Sequence, residues 1–412
     1  MLKKIIAIFI VLISVYVLSL TLIYSFDFDR INIHSKEGVV LLNSETLWPK
    51  LFFNKSVGGM LDNFTDKVML EEAVPNDKSL NALEQSMHMN GYARYWHGYQ
   101  VFLRPLLIGF KYVEIRYFAS FVIFGMLFWV LNIFRDRVNI AFANFFLFSL
   151  CCCKLFLIPM CMQFFNMTLL MLVSVVFADK FCLNDDLIRK KNFERFYICS
   201  FIVGSLTAFF DLLTTPLLPI GVLMLFWLCF FEKDKSIEIK NKFIFFNLFN
   251  WLLGYIGTWA SKWIIATLVT SENIIINAIN QVIYRTGSKF ALSEGGKSVS
   301  KFEALKLNFK MLFLPLGNTK IIILIFLILL VFSVLIYYFR RKEMNNNFVK
   351  RILFISSLPQ IWYFITANHS QLHHSFTYRS QIITLLGVIY LAYYMIDWNK
   401  VKSRLAWRKI NV

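Results

Sequence analysis

Three short strings and two isolated ionisable side chains carry the residue types from which chemistry is built. In Met60-Leu-Asp-Asn-Phe-Thr-Asp-Lys-Val-Met-Leu-Glu-Glu-Ala-Val74, Asp62 and Asp66 stand four apart and so share one face of a helix. Gly58-Gly59 precedes them, Asp62 suits a helix N-cap, and Pro75 limits the end. Paired carboxylates serve as general bases or hold a divalent cation, here magnesium or manganese, although nothing in the sequence requires a cofactor. The same pattern describes a capped amphipathic helix with solvated acids. Gly91-Tyr-Ala-Arg-Tyr-Trp-His-Gly-Tyr-Gln-Val-Phe-Leu-Arg-Pro105 gathers Tyr92, Arg94, Tyr95, Trp96, His97 and Tyr99 and ends in Arg104. Aromatic faces stack on sugars and arginine forks bind phosphate, while Trp and Tyr also collect at membrane interfaces for no catalytic reason.

The third string is Ala367-Asn-His-Ser-Gln-Leu-His-His-Ser-Phe-Thr-Tyr-Arg379. His369 and His373 are four apart, a metal-chelating spacing on a helix, but no Cys or carboxylate lies nearby to complete a zinc site. These histidines and Arg379 read instead as contacts to an anionic group, with a plain structural cluster as the alternative. Asp211 and Lys262 each sit near the end of an apolar stretch, where they are candidates for substrate contact or for helix capping and snorkelling. Glu272 and Arg285 follow, then Gly295-Gly296-Lys297, a turn without the spacing of a phosphate loop.

The elements that must position these groups are membrane helices. The chain is 58% apolar and 17% charged over 412 residues, against about 45–50% and ~25% for soluble domains. Several charge-free stretches of about 18 residues or more are long enough to cross a ~30 Å hydrocarbon core. This excludes a secreted enzyme, a cytosolic two-domain enzyme and a disordered chain. The pattern predicts an all-α polytopic protein, one transmembrane domain over 1–412. About ten spans are expected, near 5–25, 117–134, 139–153, 156–177, 196–210, 216–231, 243–263, 320–339, 352–367 and 380–396. The first, behind Lys3 and Lys4, reads as an uncleaved signal anchor. Forty-five phenylalanines with many Ile, Lys and Asn fit an AT-rich bacterial coding sequence.

The formal charge of +18 is then a question of sides. With the N-terminus inside, about 23 of the 43 basic residues fall in ~65 residues of inner segments, and both termini are cytoplasmic. That places the protein in the bacterial plasma membrane and leaves no nucleic-acid footprint to explain. Two large outer segments remain, 26–115 and 264–319, the first carrying an interfacial amphipathic helix at Val101–Phe110. All six histidines (His34, His88, His97, His369, His373, His374) fall on the outer side with the acids above. The seven cysteines lie in or beside spans as small apolar residues, without a disulfide or metal pattern. No Walker motif, dinucleotide fingerprint or serine elbow is present, which argues against an ATP-driven pump.

With its N-in first span, long first outer loop bearing acids on an amphipathic helix, and late second outer loop, the chain resembles polytopic glycosyltransferases of the GT-C type. The likeness is strongest to bacterial members found with surface-polysaccharide genes. Locally it rests on Leu61-Asp-Asn-Phe-Thr-Asp66, Arg94-Tyr-Trp-His97, Gly204-Ser-Leu-Thr-Ala-Phe-Phe-Asp211 and the segment from Asn368 to Arg379. The resemblance implies a polyprenyl-phosphate-linked sugar as donor, a glycan acceptor and a catalytic carboxylate in the first outer loop. In that family the acid often follows the first span closely, where this chain has Asp27 and Asp29; the loop-to-helix context favours Asp62 and Asp66. Arg94, Arg104, Lys262 and Arg379 are then the expected phosphate partners. Two other readings share the polytopic plan: a repeat-unit polymerase on the same face, and a lipid-linked sugar flippase or transporter. A transporter should place ionisable residues at the bilayer midplane on broken or repeated helices, a pattern the spans lack.

Overall fold

A computed structural model describes residues 1–26, 29–45, 61–183, 193–234, 239–287, 298–313 and 318–410. Gly58-Gly59, Asp27 and Gly295-Gly296-Lys297 lie outside the described residues. The described residues are all-α, with no strand among them; a backbone bridge joins Arg340 and Ile396.

The first half comprises α1 (Leu2–Tyr24), α2 (Asp29–Ser44), α3 (Asn63–Glu72), α4 (Ala82–His88), α5 (Gln100–Gly109), α6 (Tyr112–Arg137), α7 (Ile140–Cys152) and α8 (Met162–Cys182). The second comprises α9 (Glu194–Phe210), α10 (Leu218–Lys233), α11 (Asn241–Thr270), α12 (Ile274–Thr286), α13 (Lys301–Met311) and α14 (Asn318–Phe339). It ends with α15 (Asn346–Ser356), α16 (Leu358–Ile365), α17 (Ala367–Leu372), α18 (His374–Thr377), α19 (Ile382–Met395) and α20 (Trp398–Ile410).

Among the described residues five helices are long and apolar enough to cross a membrane: α1, α6, α8, α11 and α14. In hydrocarbon every backbone amide must bond within its own segment, which is why such runs become helices. The other expected spans are helices too, but shorter: α7 has 13 residues, α9 17, α10 16 and α19 14. The stretch near 352–367 divides into α15 and α16 at Ser357, with a proline in the first turn of α16.

Burial sorts the helices. α8, α9 and α10 are enclosed on most sides, whereas α1 turns Ile6, Ile10 and Leu18 outward and α14 is almost wholly exposed along its length. Exposed leucine, isoleucine and phenylalanine over a whole helix face is the surface that lipid covers. The closest helix pair is α9 with α11. A Cβ on Gly204 would lie 2.0 Å from the Trp251 carbonyl oxygen, and one on Gly254 2.2 Å from that of Phe201. Only glycine at both positions permits this approach.

The outer segment is fastened by backbone carbonyls. Arg104 of α5 donates Nε to Ile23 O (3.1 Å), Nη2 to Phe26 O (2.7 Å) and Nη1 to Ala73 O, with its guanidinium over the Tyr24 ring. Those oxygens close α1 and α3, where unpaired carbonyls await donors. Lys262 does the same for α4: its ammonium donates to Met87 O (3.0 Å) and Ser86 O (3.3 Å) and lies over Trp96.

Polar pairs between distant segments fall into two sets. One end of the bundle joins Lys4 to Glu194 (3.1 Å), Arg137 to Asp179 (2.7 Å), Lys233 to the Asp136 carbonyl (3.2 Å), Asn345 to Glu232 (2.8 Å) and Arg351 to Asn241 (2.8 Å). The other joins His88 to Glu272 (3.3 Å), Trp263 to the Arg94 carbonyl (2.9 Å), Lys154 to the Met311 carbonyl (2.7 Å) and Ser300 to Gln371 (2.9 Å). Each set draws only on segments that the basic-residue count assigns to a common side.

Because the Gly204–Gly254 contact leaves no room for a methyl group, Gly204→Ala is expected to destabilise the protein by about 1–3 kcal/mol. Thermal unfolding in detergent checks this; an unchanged midpoint would show that α9 and α11 are not held this closely.

Candidate functional site

At the end of the bundle opposite the basic loops, four segments converge. The 92–99 turn docks on the end of α9: Gly98 N–H donates to Phe209 O (2.8 Å), an approach that a side chain would block. Within this turn Trp96 Nε1 donates to Thr258 O (2.6 Å), so Trp96 is a core anchor. His97 adopts a left-handed backbone (φ 55°) and is buried. Its Nε2 faces Tyr92 O (2.9 Å) and its Nδ1 faces both Glu72 (2.6 Å) and the Tyr99 hydroxyl (2.8 Å). Trp96 and His97 thus hold the turn, Tyr95 is buried against Trp259, and Tyr92 and Arg94 are half-buried. Arg94 is half-buried, with its guanidinium 4.3 Å from the centre of the Tyr92 ring.

Asp211 follows directly from the end of α9 and is buried. Its Oδ1 accepts the Thr214 amide (2.8 Å), and its Oδ2 has no hydrogen-bond partner. Burial pushes the carboxyl up to about 7, against the pull of the loop's own donors. Leu213, with φ 66°, turns its carbonyl toward the third string. There His369 Nε2–H donates to Leu213 O at 2.8 Å, which leaves Nδ1 as a buried lone pair without a partner. Burial and the neighbouring His373 and Arg285 hold His369 well below the ordinary imidazole range.

The His369 and His373 rings lie 4.7 Å apart, and Arg285 at the end of α12 donates to His373 Nε2 (3.2 Å). Burial, with Arg285, lowers His373 to about 4. Tyr95 lies within electrostatic reach of both Asp211 and Arg285. Tyr255 of α11 lies within reach of Asp211, and its buried hydroxyl is unpartnered. The assembled group is a carboxylate oxygen, an imidazole nitrogen and a phenol, all buried and unpartnered, beneath the half-buried Arg94 and Arg285. Buried polar atoms are almost always paired, so such a cluster is a candidate place for a ligand.

The Asp62–Asp66 pair is divided between two tasks. Asp66 is buried, and its carboxylate meets the Met162 amide (3.0 Å), the Gln163 amide (3.2 Å), the Cys161 thiol (3.3 Å) and the Tyr112 hydroxyl. It closes the N-terminus of α8 from another helix, and a carboxylate with four donors has little capacity left to accept a proton from substrate. Asp62 caps its own helix through the Thr65 amide (3.2 Å) and hydroxyl (2.8 Å). Burial raises its pKa, with Thr65 and the nearby Arg379 opposing. Arg379 stacks on Phe164 (3.6 Å to the ring centre) and donates Nη1 to Ser375 O (3.1 Å); its buried Nε and Nη2 have no partner.

Of the cations named from sequence, therefore, Arg94 and Arg379 keep donors for a ligand, whereas Arg104 and Lys262 serve helix ends. Arg285 and Tyr255 were not singled out as site residues. Arg285 carried a signal, as the only cation in an otherwise apolar and amide-bearing helix; Tyr255, inside a span, carried none. Among the described residues no three His, Cys, Asp or Glu side chains converge to hold a metal ion. The sequence matches no protein-family model, no curated protein and no solved structure at a significant level.

The two acids should respond differently to substitution. Asp66→Ala strands two α8 amides and is expected to lower stability by roughly 1–3 kcal/mol or more. Asp211 has a folded-state pKa above its unfolded value of 3.8, so its protonated form stabilises the fold at low pH. That contribution is lost as pH rises through about 7. Asp211→Asn should therefore raise the unfolding midpoint at pH 8 relative to the parent protein and change it little at pH 4. Midpoints measured at both pH values decide the matter, and a loss of stability at pH 8 would contradict this placement of Asp211.

Proposed function

We propose that this chain is a membrane glycosyltransferase of the GT-C kind, acting on the extracytoplasmic face of a bacterial plasma membrane with both termini cytoplasmic. On this reading the five long helices and the shorter apolar ones together make about ten crossings. The donor is a polyprenyl-phosphate-linked sugar and the acceptor a glycan of the cell surface. The observation that carries the reading is the buried, half-partnered Asp211 carboxylate in the loop whose Leu213 carbonyl holds His369, with Arg285 on the neighbouring His373 and Arg94 on the Tyr92 ring. Sugar faces stack on such rings, and a general base is most effective with a pKa near the working pH.

In the reaction, Asp211 Oδ2 takes the proton of the acceptor hydroxyl while that oxygen attacks the anomeric carbon. The bond from the anomeric carbon to the phosphate oxygen breaks, and polyprenyl phosphate departs with the electron pair. Arg94 and Arg285 neutralise the growing charge on the phosphate, and Arg379 with its two free donors offers a further contact. His369 is too weak a base to take the proton itself, and its Nδ1 lone pair accepts a hydrogen bond from a different, neighbouring hydroxyl of the bound sugar. Asp62, beside Arg379, borders this arrangement, and Asp66 fixes the helix that carries Phe164.

Asp211→Asn is expected to lower sugar transfer about 10²–10⁴-fold. The acid limb of the rate profile should also vanish: in the parent protein, activity falls as pH drops through about 7 and the base is protonated. His369→Ala and Arg285→Ala should weaken transfer with the fold intact. The assay is transfer from a polyprenyl-phosphate sugar in proteoliposomes, together with the lipids that accumulate in a deletion strain. Accumulation of a monophosphate-linked sugar supports the transferase, and a diphosphate-linked repeat unit indicates a polymerase instead. Full activity in Asp211→Asn would remove Asp211 from the mechanism.

A further inference from the structure

The opposite end of the molecule carries a second feature, independent of the proposed catalysis. A groove of about 460 Å³ runs between α11 and α15, within the range of pockets that hold small ligands. Its walls are Ile244, Phe245, Leu248 and Phe249 with Leu252 and Phe354, and Asn241, Lys350 and Arg351 stand at its mouth. From Asn241 to Leu252 is eleven residues of helix, roughly 16 Å of rise. This is about half of a ~30 Å hydrocarbon core, the depth of one leaflet.

The mouth is basic. Lys350 is exposed, Arg351 is held by Asn241 at 2.8 Å, and Lys240 and Lys242 are exposed beside them at the start of α11. Before α11 the chain carries Glu232, which is engaged by Asn345 (2.8 Å) and Tyr394 (2.7 Å), then Asp234, and Glu238, which lies outside the described residues; among the described residues no acidic side chain lines the groove. Helix α11 begins at this mouth, so its dipole adds positive potential to that of the side chains. An apolar channel one leaflet deep, with cations only at its polar end, matches one chemistry: an acyl chain joined to a phosphate without a compensating ammonium.

We propose that the α11–α15 groove binds an anionic phospholipid of the leaflet on the side where the basic loops collect, with an acyl chain against Phe245, Phe249 and Leu252 and its phosphate held by Lys350 and Arg351. Such a lipid ties α11, which carries Tyr255 at its midpoint, to α15. Zwitterionic lipids fit the channel equally but gain nothing at the mouth.

The test uses the purified full chain in detergent, titrated with phosphatidylglycerol and separately with phosphatidylcholine, and read by native mass spectrometry and thermal unfolding. Phosphatidylglycerol should occupy one site at least tenfold more tightly than phosphatidylcholine and should raise the unfolding midpoint. Lys350→Gln should weaken phosphatidylglycerol about fivefold, the effect of one surface cation. Leu252→Trp, which fills the channel at an exposed position, should weaken both lipids. Equal binding of the two lipids overturns the proposal, as does unchanged phosphatidylglycerol affinity in Lys350→Gln. So does a dimer whose copies cross-link through Leu252→Cys, which would make the groove an interface between chains.

Discussion

The structure depends on how a buried carboxylate is compensated at the head of α8. Asp66 lies in a short helix of the first outer segment, yet its oxygens meet the first amides of α8, the Cys161 thiol and the Tyr112 hydroxyl of α6. A helix N-terminus offers unpaired amides and a positive potential, and a carboxylate placed there repays its own desolvation. Three segments far apart in sequence are thereby fixed to one another within hydrogen-bond distance. Nearby, Arg116 of α6 grips Glu45, just past the end of α2, through two bonds of 2.5 and 3.1 Å. Once α3 is set by these contacts, Asp62 and Arg379 are brought into each other's field at its first turn.

The same rule applied to helix C-termini separates structural cations from available ones. Arg104 and Lys262 are as buried as any residue in the protein, and both direct their donors at terminal carbonyls. Arg379 is equally buried but bonds only one carbonyl, with Nε and Nη2 unpartnered. Arg94 and Arg285 rest on aromatic rings nearer the surface. Five positive side chains at one end of a bundle thus have two unlike functions. What divides them is whether a helix happens to end within reach of the guanidinium or ammonium.

This also explains what the sequence disclosed. Apolar run length is a one-dimensional property, so helical class and the long spans were legible, as was the grouping of loops by end, which charge asymmetry encodes directly. Shorter apolar runs were legible as helices but not as crossings, because length near the threshold, or a proline such as Pro359, divides them. Spacing placed Asp62 and Asp66 on one helix, but nothing local could reveal that Asp66 faces the α8 amides from 96 residues away. Tyr255 was hidden for the opposite reason: one hydroxyl in a long aromatic helix has no local signature, and only Asp211 beside it gives it meaning. The strings around Arg94, Asp211 and His369 did converge. Which of their members point inward was a matter of backbone turns, not of composition.

Those turns contain part of the backbone strain at this end. Leu213 and His97 both take left-handed backbone conformations, which cost of order 1–3 kcal/mol each in residues other than glycine. A glycine at either position would relieve the strain and also loosen the chain, because its unfolded freedom is larger. Retaining Leu213 fixes the direction of its carbonyl, and through that carbonyl the tautomer of His369. Retaining His97 fixes the imidazole between Tyr92 and Glu72, and so the height of the aromatic turn over Asp211. The unpartnered atoms of the cluster add a desolvation penalty of their own. Where helix ends lie within reach of Asp66, Arg104 and Lys262 the polar groups are satisfied, whereas Asp211 and His369 keep one acceptor each without a partner.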